Sequence, residues 1–373
     1  MAGIYIHIPF CKQACNYCNF HFSTSLQKKE AFLVALQKEI ILQKDYLQGE
    51  KIETIYFGGG TPSILSATEI QHIFDGINAV HDVATDAEVT LEANPDDLSR
   101  EKLLAFRQTP INRFSIGIQS FFEEDLQFMH RAHNAEEASR SIKTAQDVGF
   151  QNLTIDLIYG TPTMDNEHWI QNLDKATQFD IPHISSYCLT VEPKTLLEKQ
   201  VKKGILKPVD DEKAAEQFEI LMQNLAEKGF EHYEISNFAK PDCHARHNSN
   251  YWLGKKYLGL GPSAHAYDGI SRQHNIANNS LYIASLQQGV LNFEKENLST
   301  AERYNEYILV ALRTKWGAHA SEIKKIGNEF WLHFQAKSKP FIEKNQILAN
   351  SDIFTLSKEG KMLADFIAVD LFY

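Results

Sequence analysis

Short apolar runs alternate with amphipathic segments along the first two thirds of the chain. The runs rich in β-branched and aromatic residues are predicted strands: Gly3–Ile8, Ile52–Phe57, Glu88–Glu92, Arg113–Ile118, Leu153–Ile158 and His183–Leu189. Segments with apolar residues at three-to-four spacing are predicted helices: Leu26–Leu47, Ala67–Val80, Arg100–Gln108, Ala135–Val148, Asn166–Gln178 and Asp210–Lys228. Because each strand is followed by a helix, the pattern predicts parallel strands joined by right-handed crossovers. Alternation alone leaves open whether the sheet is open or forms a barrel.

The alternation of predicted strands and helices ends near Gly229, so the chain is predicted to have three parts. Residues 1–235 form the repeated β/α core. Residues 236–290 are rich in Tyr, His, Asn and Gly without clear periodicity, and we expect an irregular connecting region. Residues 291–373 are predicted to form a small, mostly helical, winged-helix-like domain, whose first helix begins at a capping box from Ser299 to Glu302.

Composition and charge narrow the class of protein. The 373 residues carry 37 basic and 48 acidic side chains, a formal net charge of −11, which argues against nucleic acid as a partner. No apolar run approaches the ~20 residues of a membrane span. The N-terminus lacks a positively charged region before its short apolar run, so it reads as a strand and not as a signal peptide. We therefore expect a cytoplasmic protein with reduced thiols.

Three of the five cysteines lie close together directly after the first predicted strand. Cys11, Cys15 and Cys18 have the spacing C-x3-C-x2-C, which favours a shared soft metal centre over disulfides. A [4Fe–4S] cluster held by three cysteines leaves one iron open to another ligand. A structural zinc site is the alternative, with His21 as the fourth ligand.

The cysteine spacing, placed after the first strand of a repeated β/α chain, resembles the radical S-adenosylmethionine (SAM) superfamily. The segments Tyr5–Cys11 (YIHIPFC) and Tyr17–Phe20 (YCNF) are similar to the branch of oxygen-independent coproporphyrinogen III oxidases and HemW-type haem chaperones. The similarity runs over almost the whole chain. It implies a partial six-stranded (β/α) barrel and a [4Fe–4S] cluster whose open iron is chelated by SAM.

The resemblance also implies which residues contact SAM. A glycine-rich turn, Phe57-Gly-Gly-Gly-Thr-Pro62, follows the second strand, where bare backbone can approach an amino acid moiety. Other polar residues lie near the carboxyl ends of successive strands, where β/α barrels place their sites. The SAM contacts implied are Tyr5, Tyr17, Gly59, Gly60, Thr61, Glu92, Gln119, Arg131 and Asp156. For Asp156, a simple ion pair with Arg131 stays open.

A haem ligand is implied by the segment His247-Asn-Ser-Asn-Tyr-Trp252. Imidazole is a common axial ligand of haem iron, and aromatic rings suit a porphyrin face. HemW-type proteins are similar here, with an H-N-x-x-Y-W motif linked to haem, so His247 is the predicted ligand. A packed structural histidine at this position, or His244 as the ligand, stays open.

Two departures from the oxidases favour the chaperone branch. Oxidases of this branch resemble C-x3-C-x2-C-x-C, whereas this chain has Phe20 at the last position. They also carry an extension before the cysteine loop, and here Cys11 is close to the first residue. We therefore expect a haem chaperone that carries a SAM-liganded cluster and transfers haem to acceptor proteins. An active coproporphyrinogen III oxidase is the alternative, and a zinc-stabilised scaffold is the third.

Overall fold

The computed structural model describes residues 1–373 and is built around a 12-stranded sheet. Six parallel strands lie side by side in sequence order. They are β1 (Ala2–Ile8), β2 (Ile52–Gly59), β3 (Val83–Ala93), β4 (Arg113–Gln119), β5 (Leu153–Tyr159) and β6 (His183–Cys188). All six predicted strands are confirmed, and the order shows the partial (β/α) barrel.

Helices follow the parallel strands and cover the outside of the sheet. They are α1 (Lys29–Leu42), α2 (Ala67–Val80), α3 (Arg100–Phe106), α4 (Glu123–Phe128), α5 (Ala135–Asp147), α6 (Asn166–Thr177), α7 (Leu196–Lys202) and α8 (Asp211–Glu227). The six predicted helices are confirmed. The pattern did not reveal α4 and α7, which have six and seven residues. No helix has the length and hydropathy needed to cross a bilayer.

The two faces of the parallel strands have opposite character. On β4, Phe114 and Ile116 are fully buried on the helix-covered face. Arg113 and Ser115 alternate with them on the inner face, where Ser115 donates to Asp156 of β5 at 3.2 Å. Apolar side chains usually fill the interior of a β/α barrel. A polar inner face therefore marks the place where a ligand site is expected.

The region predicted to be irregular, 236–290, is mostly regular structure that widens the sheet. Residues 231–297 contain β7 (Glu231–Glu234), β8 (Asn237–Ala239), α9 (Arg246–Trp252), β9 (Tyr257–Leu260), β10 (His265–Tyr267), β11 (Ser271–Asn275), α10 (Asn279–Gln287) and β12 (Phe293–Asn297). Strand β9 pairs in parallel with β1, Gly3 opposite Tyr257. The prediction of an irregular connection is wrong, because strands of three to five mixed residues show no clear alternation.

A buried carboxylate joins this added part of the sheet to the first helix. Glu39 of α1 accepts hydrogen bonds from the Gly261 N–H at 2.7 Å, the Asn275 side chain at 2.6 Å and the Tyr282 hydroxyl at 2.6 Å. Burial raises the pKa of Glu39 to about 6 despite these donors. This network fixes the position of β9–β11 beside β1.

The C-terminal domain has its own core of 16 buried residues. It contains α11 (Thr300–Leu312), β13 (Ala318–His319), α12 (Ala320–Ile326), α13 (Asn328–Glu343), β14 (Ile347–Asn350), β15 (Ile353–Leu356), α14 (Lys358–Met362) and α15 (Ala364–Asp370). The predicted capping box from Ser299 to Glu302 begins α11. Because β12 still belongs to the large sheet, the boundary falls at about residue 299 and not at 291.

Candidate functional site

The loop that carries the three cysteines is fixed at its base and along one side. The Cys11 N–H donates to the Ser23 carbonyl at 3.0 Å, and the Ser23 N–H donates to the Pro9 carbonyl at 2.9 Å. Further along, the His130 ring bonds the Ala14 carbonyl at 2.9 Å. These bonds hold the loop over the carboxyl ends of the parallel strands.

All three cysteines line one cavity of about 630 Å³, termed here the cysteine cavity. This volume lies within the range of ligand pockets, about 300–1,000 Å³. The predicted SAM contacts that line the same cavity are Tyr17, Gly59, Gly60, Thr61, Glu92, Gln119, Arg131 and Asp156. The structure thus brings together eight of the nine residues that the resemblance implied.

Tyr5 is the exception. It lines a second, larger cavity, which lies between the barrel and the C-terminal domain and is described below. Its hydroxyl lies 3.3 Å from Nδ1 of His7 on the same strand. Its ring packs beside that of Tyr56, with centroids 6.1 Å apart. Tyr5 therefore lies in the wall of the second cavity, and its contact with SAM stays a prediction.

The structure does not support a Cys3His zinc site. No group of three or more His, Cys, Asp or Glu side chains converges on a position for one metal ion. Zinc requires such convergence, with metal–sulfur distances of about 2.3 Å. In addition, His21 lines the second cavity, whereas the cysteines line the cysteine cavity.

Arg131 lines the cysteine cavity and forms hydrogen bonds with groups around it. Its guanidinium donates to Cys15 Sγ at 3.2 Å, to the Asn94 side chain at 2.9 Å and to the Gly117 carbonyl at 3.0 Å. Its Nε is buried and has no partner in the chain. A cation beside the thiolates offsets their charge, and the free donor is suited to an anionic ligand. The alternative pairing of Arg131 with Asp156 is not formed, since Asp156 accepts from Ser115 instead.

Two carboxyl groups, on β3 and β5 at either side of β4, face the same cavity with raised pKa values. Burial, together with a smaller contribution from the nearby Asp156, raises the pKa of Glu92 to about 8. Burial also raises the pKa of Asp156 to about 6. The Tyr56 hydroxyl donates to Glu92 at 2.8 Å. In the ligand-free chain at neutral pH, Glu92 is therefore protonated and can donate a hydrogen bond to a ligand hydroxyl.

Gln119 ends β4 in a strained conformation. Its φ of 65° lies in the left-handed region, which non-glycine residues rarely adopt. The residue is 8% exposed, and its side-chain amide has no hydrogen-bond partner in the chain while it lines the cysteine cavity. Strain of this kind persists where the surroundings hold a residue in place for a function.

Sequence reasoning missed several polar residues of this cavity, and two of them orient predicted SAM contacts. Asn94 orients Arg131, and Ser115 orients Asp156. Both line the cavity themselves. A signal was present for Ser115, since it alternates with buried apolar residues on β4 and so must lie on the inner face.

Replacing Gly60 by alanine is expected to displace the cysteine loop. A Cβ at Gly60 would lie 2.6 Å from the Phe10 carbonyl oxygen and 2.9 Å from that of Ile8, both in the backbone that leads into the loop. Backbone cannot move aside as a flexible side chain can. We expect Gly60→Ala to lower the iron bound after anaerobic reconstitution to less than about half of wild type. Gly49→Ala is the control for backbone strain alone, since its φ of 75° disfavours alanine while its Cβ would meet nothing within 4 Å. Equal iron content in both variants would contradict the prediction.

The second cavity, termed here the interdomain cavity, lies between the barrel and the C-terminal domain and has a volume of about 960 Å³. Its aromatic lining residues are Tyr5, Phe20, Tyr251, Trp252, Tyr257, Tyr267, Tyr307 and Trp316. It shares Asn19, Phe20, Gly59 and Glu92 with the cysteine cavity, so the two cavities adjoin.

His247 lies beneath this cavity as a packed side chain. It is 1% exposed, and its two ring nitrogens bond the hydroxyls of Thr54 and Tyr251, each at 2.8 Å. Its ring stacks on Tyr56 with centroids 5.0 Å apart. Burial lowers the pKa of His247 to about 3. Neither nitrogen is free to bind iron in this arrangement, so the structure favours the packed histidine over the predicted ligand.

A cysteine loop over the carboxyl ends of a parallel partial barrel defines the radical SAM class of proteins. The model of the radical SAM superfamily matches residues 5–176. In fold, the chain is similar to a solved structure from Escherichia coli described as coproporphyrinogen III oxidase (HemN), a radical SAM enzyme. That similarity has a TM-score of 0.85 at 21% identity and covers 99% of this chain and 89% of the other.

Sequence relatives narrow the class to one family. The chain is 34% identical to heme chaperone HemW of Bacillus subtilis over 369 residues, which is 98% of this chain and 97% of the relative. It is 38% identical to heme chaperone HemW of Escherichia coli over 267 residues, 70% of this chain and 69% of the relative. The chain belongs to the HemW family of the radical SAM superfamily.

Proposed function

We propose that this protein binds haem and delivers it to acceptor proteins, and that it carries a [4Fe–4S] cluster with SAM in the cysteine cavity. The observation that carries the proposal is the pair of adjoining cavities. One holds the three cysteines and the polar strand ends, and the other is large and aromatic-walled. Aromatic walls favour a flat, apolar macrocycle.

The residues present fit the cluster and SAM. Cys11, Cys15 and Cys18 would hold three irons, and Arg131 would balance the charge of the thiolates. When bound, the cluster supplies one-electron chemistry to SAM. The chain's own contribution is to position SAM between the glycine turn and the inner-face residues. Glu92, protonated in the ligand-free chain, is suited to a hydroxyl group.

An oxidase of coproporphyrinogen III is the second candidate, because the fold is that of the solved oxidase and the cysteine cavity is complete. Against it stands Phe20, which replaces the fourth cysteine of the oxidase motif. Its side chain is 67% exposed and lines both cavities. Because the bulky apolar ring of Phe20 lies at the boundary between the two cavities, it would change how an oxidase substrate approaches the cysteine cavity.

One anaerobic experiment separates the two functions. Cluster-loaded protein is incubated with haem and an apo-acceptor protein, and in parallel with coproporphyrinogen III, SAM and a reductant. We expect stoichiometric haem binding and transfer, and no protoporphyrinogen IX. The porphyrin product must be scored, because SAM cleavage can persist uncoupled. Multiple turnovers to protoporphyrinogen IX without haem transfer would establish the oxidase instead.

A further inference from the structure

One imidazole on the interdomain cavity is both oriented and open. His21, at the end of the cysteine loop, lines this cavity. Its Nε2 lies 2.7 Å from the Asn279 side-chain oxygen. Its Nδ1 has no hydrogen-bond partner and is not sealed from solvent. In the tautomer whose Nε2–H donates to Asn279, the lone pair lies on Nδ1, the nitrogen that no group of the chain occupies.

The other histidines of the cavity lack this combination. Both nitrogens of His7 are used, one 3.3 Å from the Tyr5 hydroxyl and the other 2.8 Å from the His21 carbonyl. His265 and His319 also line the cavity, but no hydrogen bond orients either ring. Histidine ligands of metals almost always donate their second nitrogen to an acceptor, which fixes the ring and its tautomer. Asn279 provides this acceptor for His21 alone.

The same cavity offers a cation for acidic groups. Arg272 contacts Glu306 through Nε at 2.7 Å, while its two terminal nitrogens have no hydrogen-bond partner. Its guanidinium lies 5.7 Å from the ring centroid of Tyr267, another wall residue. Two glutamates that line the interdomain cavity lie beside cations, so their charges are partly neutralised. Glu306 contacts Arg272, and Glu322 pairs with Lys325, each at 2.7 Å. A guanidinium with free terminal donors is suited to a ligand carboxylate.

We propose that the interdomain cavity binds an iron tetrapyrrole with carboxylate side chains, with the iron on Nδ1 of His21 and a carboxylate on Arg272. The inference rests on the proposed function, which supplies haem as the ligand class. It moves the iron ligand from His247, which is packed below the cavity, to a residue of the cysteine loop. The bound tetrapyrrole would then lie beside the residues that line both cavities.

The test compares ferric haem with metal-free protoporphyrin IX on cluster-loaded protein. His21→Ala should weaken haem binding at least about tenfold, since an iron–nitrogen bond is lost, and should leave the metal-free porphyrin within about twofold. Electron paramagnetic resonance should show a change of haem iron ligation, and free imidazole should restore the wild-type signal in His21→Gly. His274→Ala is the matched control, because His274 is a neighbouring exposed histidine outside the lining.

Arg272 is tested with a haem that lacks free carboxylates. Arg272→Gln should weaken haem binding but not binding of haem dimethyl ester, which lacks the carboxylates. Iron–sulfur absorption and thermal unfolding show that each variant is folded and loaded.

Two outcomes overturn different statements. Unchanged haem affinity and signal in His21→Ala, with loss of the signal in His247→Ala, His265→Ala or His319→Ala, would remove His21 as the ligand and leave the chaperone function intact. Wild-type protein that binds neither haem nor metal-free porphyrin would overturn the proposed function itself.

Discussion

Replacing Cys11, Cys15 and Cys18 together by alanine should abolish bound iron and acid-labile sulfide while the chain stays folded. The cysteine loop contains these three cysteines and no others. It packs on a core of 55 buried residues, and none of the three cysteines belongs to that core. Large cores do not depend on a surface-loop cluster. Iron analysis, the absorption of the cluster and circular dichroism measure the two results.

Cys243→Ala is the control for the cysteine experiment, because Cys243 lies outside the cysteine cavity. We expect it to keep wild-type iron content. Iron retained at the wild-type level in the triple variant would place the cluster elsewhere.

Changing Arg131 to methionine should reduce both cluster assembly and SAM affinity. The variant leaves the Gly117 carbonyl and Asn94 without their donor and removes the cation beside Cys15. Each buried polar group left unpaired costs about 1–3 kcal/mol, so the free energy of unfolding should also fall. We expect SAM affinity, measured by equilibrium dialysis, to fall at least about tenfold.

Two further variants make the Arg131 result specific. Arg131→Lys keeps the charge without the planar set of donors and should recover only part of the SAM affinity. Arg140→Met removes an exposed arginine of α5 and should change nothing. Full SAM affinity in Arg131→Met would show that the guanidinium is structural only.

The strands and helices of the β/α core were predictable because local signals agreed with one another, whereas their closure into a partial barrel was implied only by the resemblance. Helix α2 has the predicted bounds, and Ser66 and Glu69 form a capping box at its start. The added strands gave no such signal. Strand β12, Phe293–Asn297, is exposed along its whole length and carries three charges, and only its pairing with β11 makes it a strand. Pairing partners distant in sequence cannot be found from local pattern.

The lining of the cysteine cavity was predictable to the extent that strand ends converge. Glu92, Gln119 and Asp156 meet because parallel strands end at the same edge of the sheet. The motif around His247 predicted a histidine ligand, but a sequence motif does not show which groups surround that histidine in the fold. Only the three-dimensional contacts with Thr54 and Tyr251 show that its nitrogens are already occupied.

The position of β1 inside the sheet has a consequence for synthesis in the cell. One edge of β1 pairs with β2, but the other pairs with β9, whose Tyr257 lies opposite Gly3. At about 5–20 residues per second, a ribosome needs on the order of 10–50 s between these two strands. During that time one edge of β1 has no partner, so the loop directly after it lacks its final support. Cluster insertion should therefore follow translation of β9, and nascent chains stalled before residue 257 should not acquire iron.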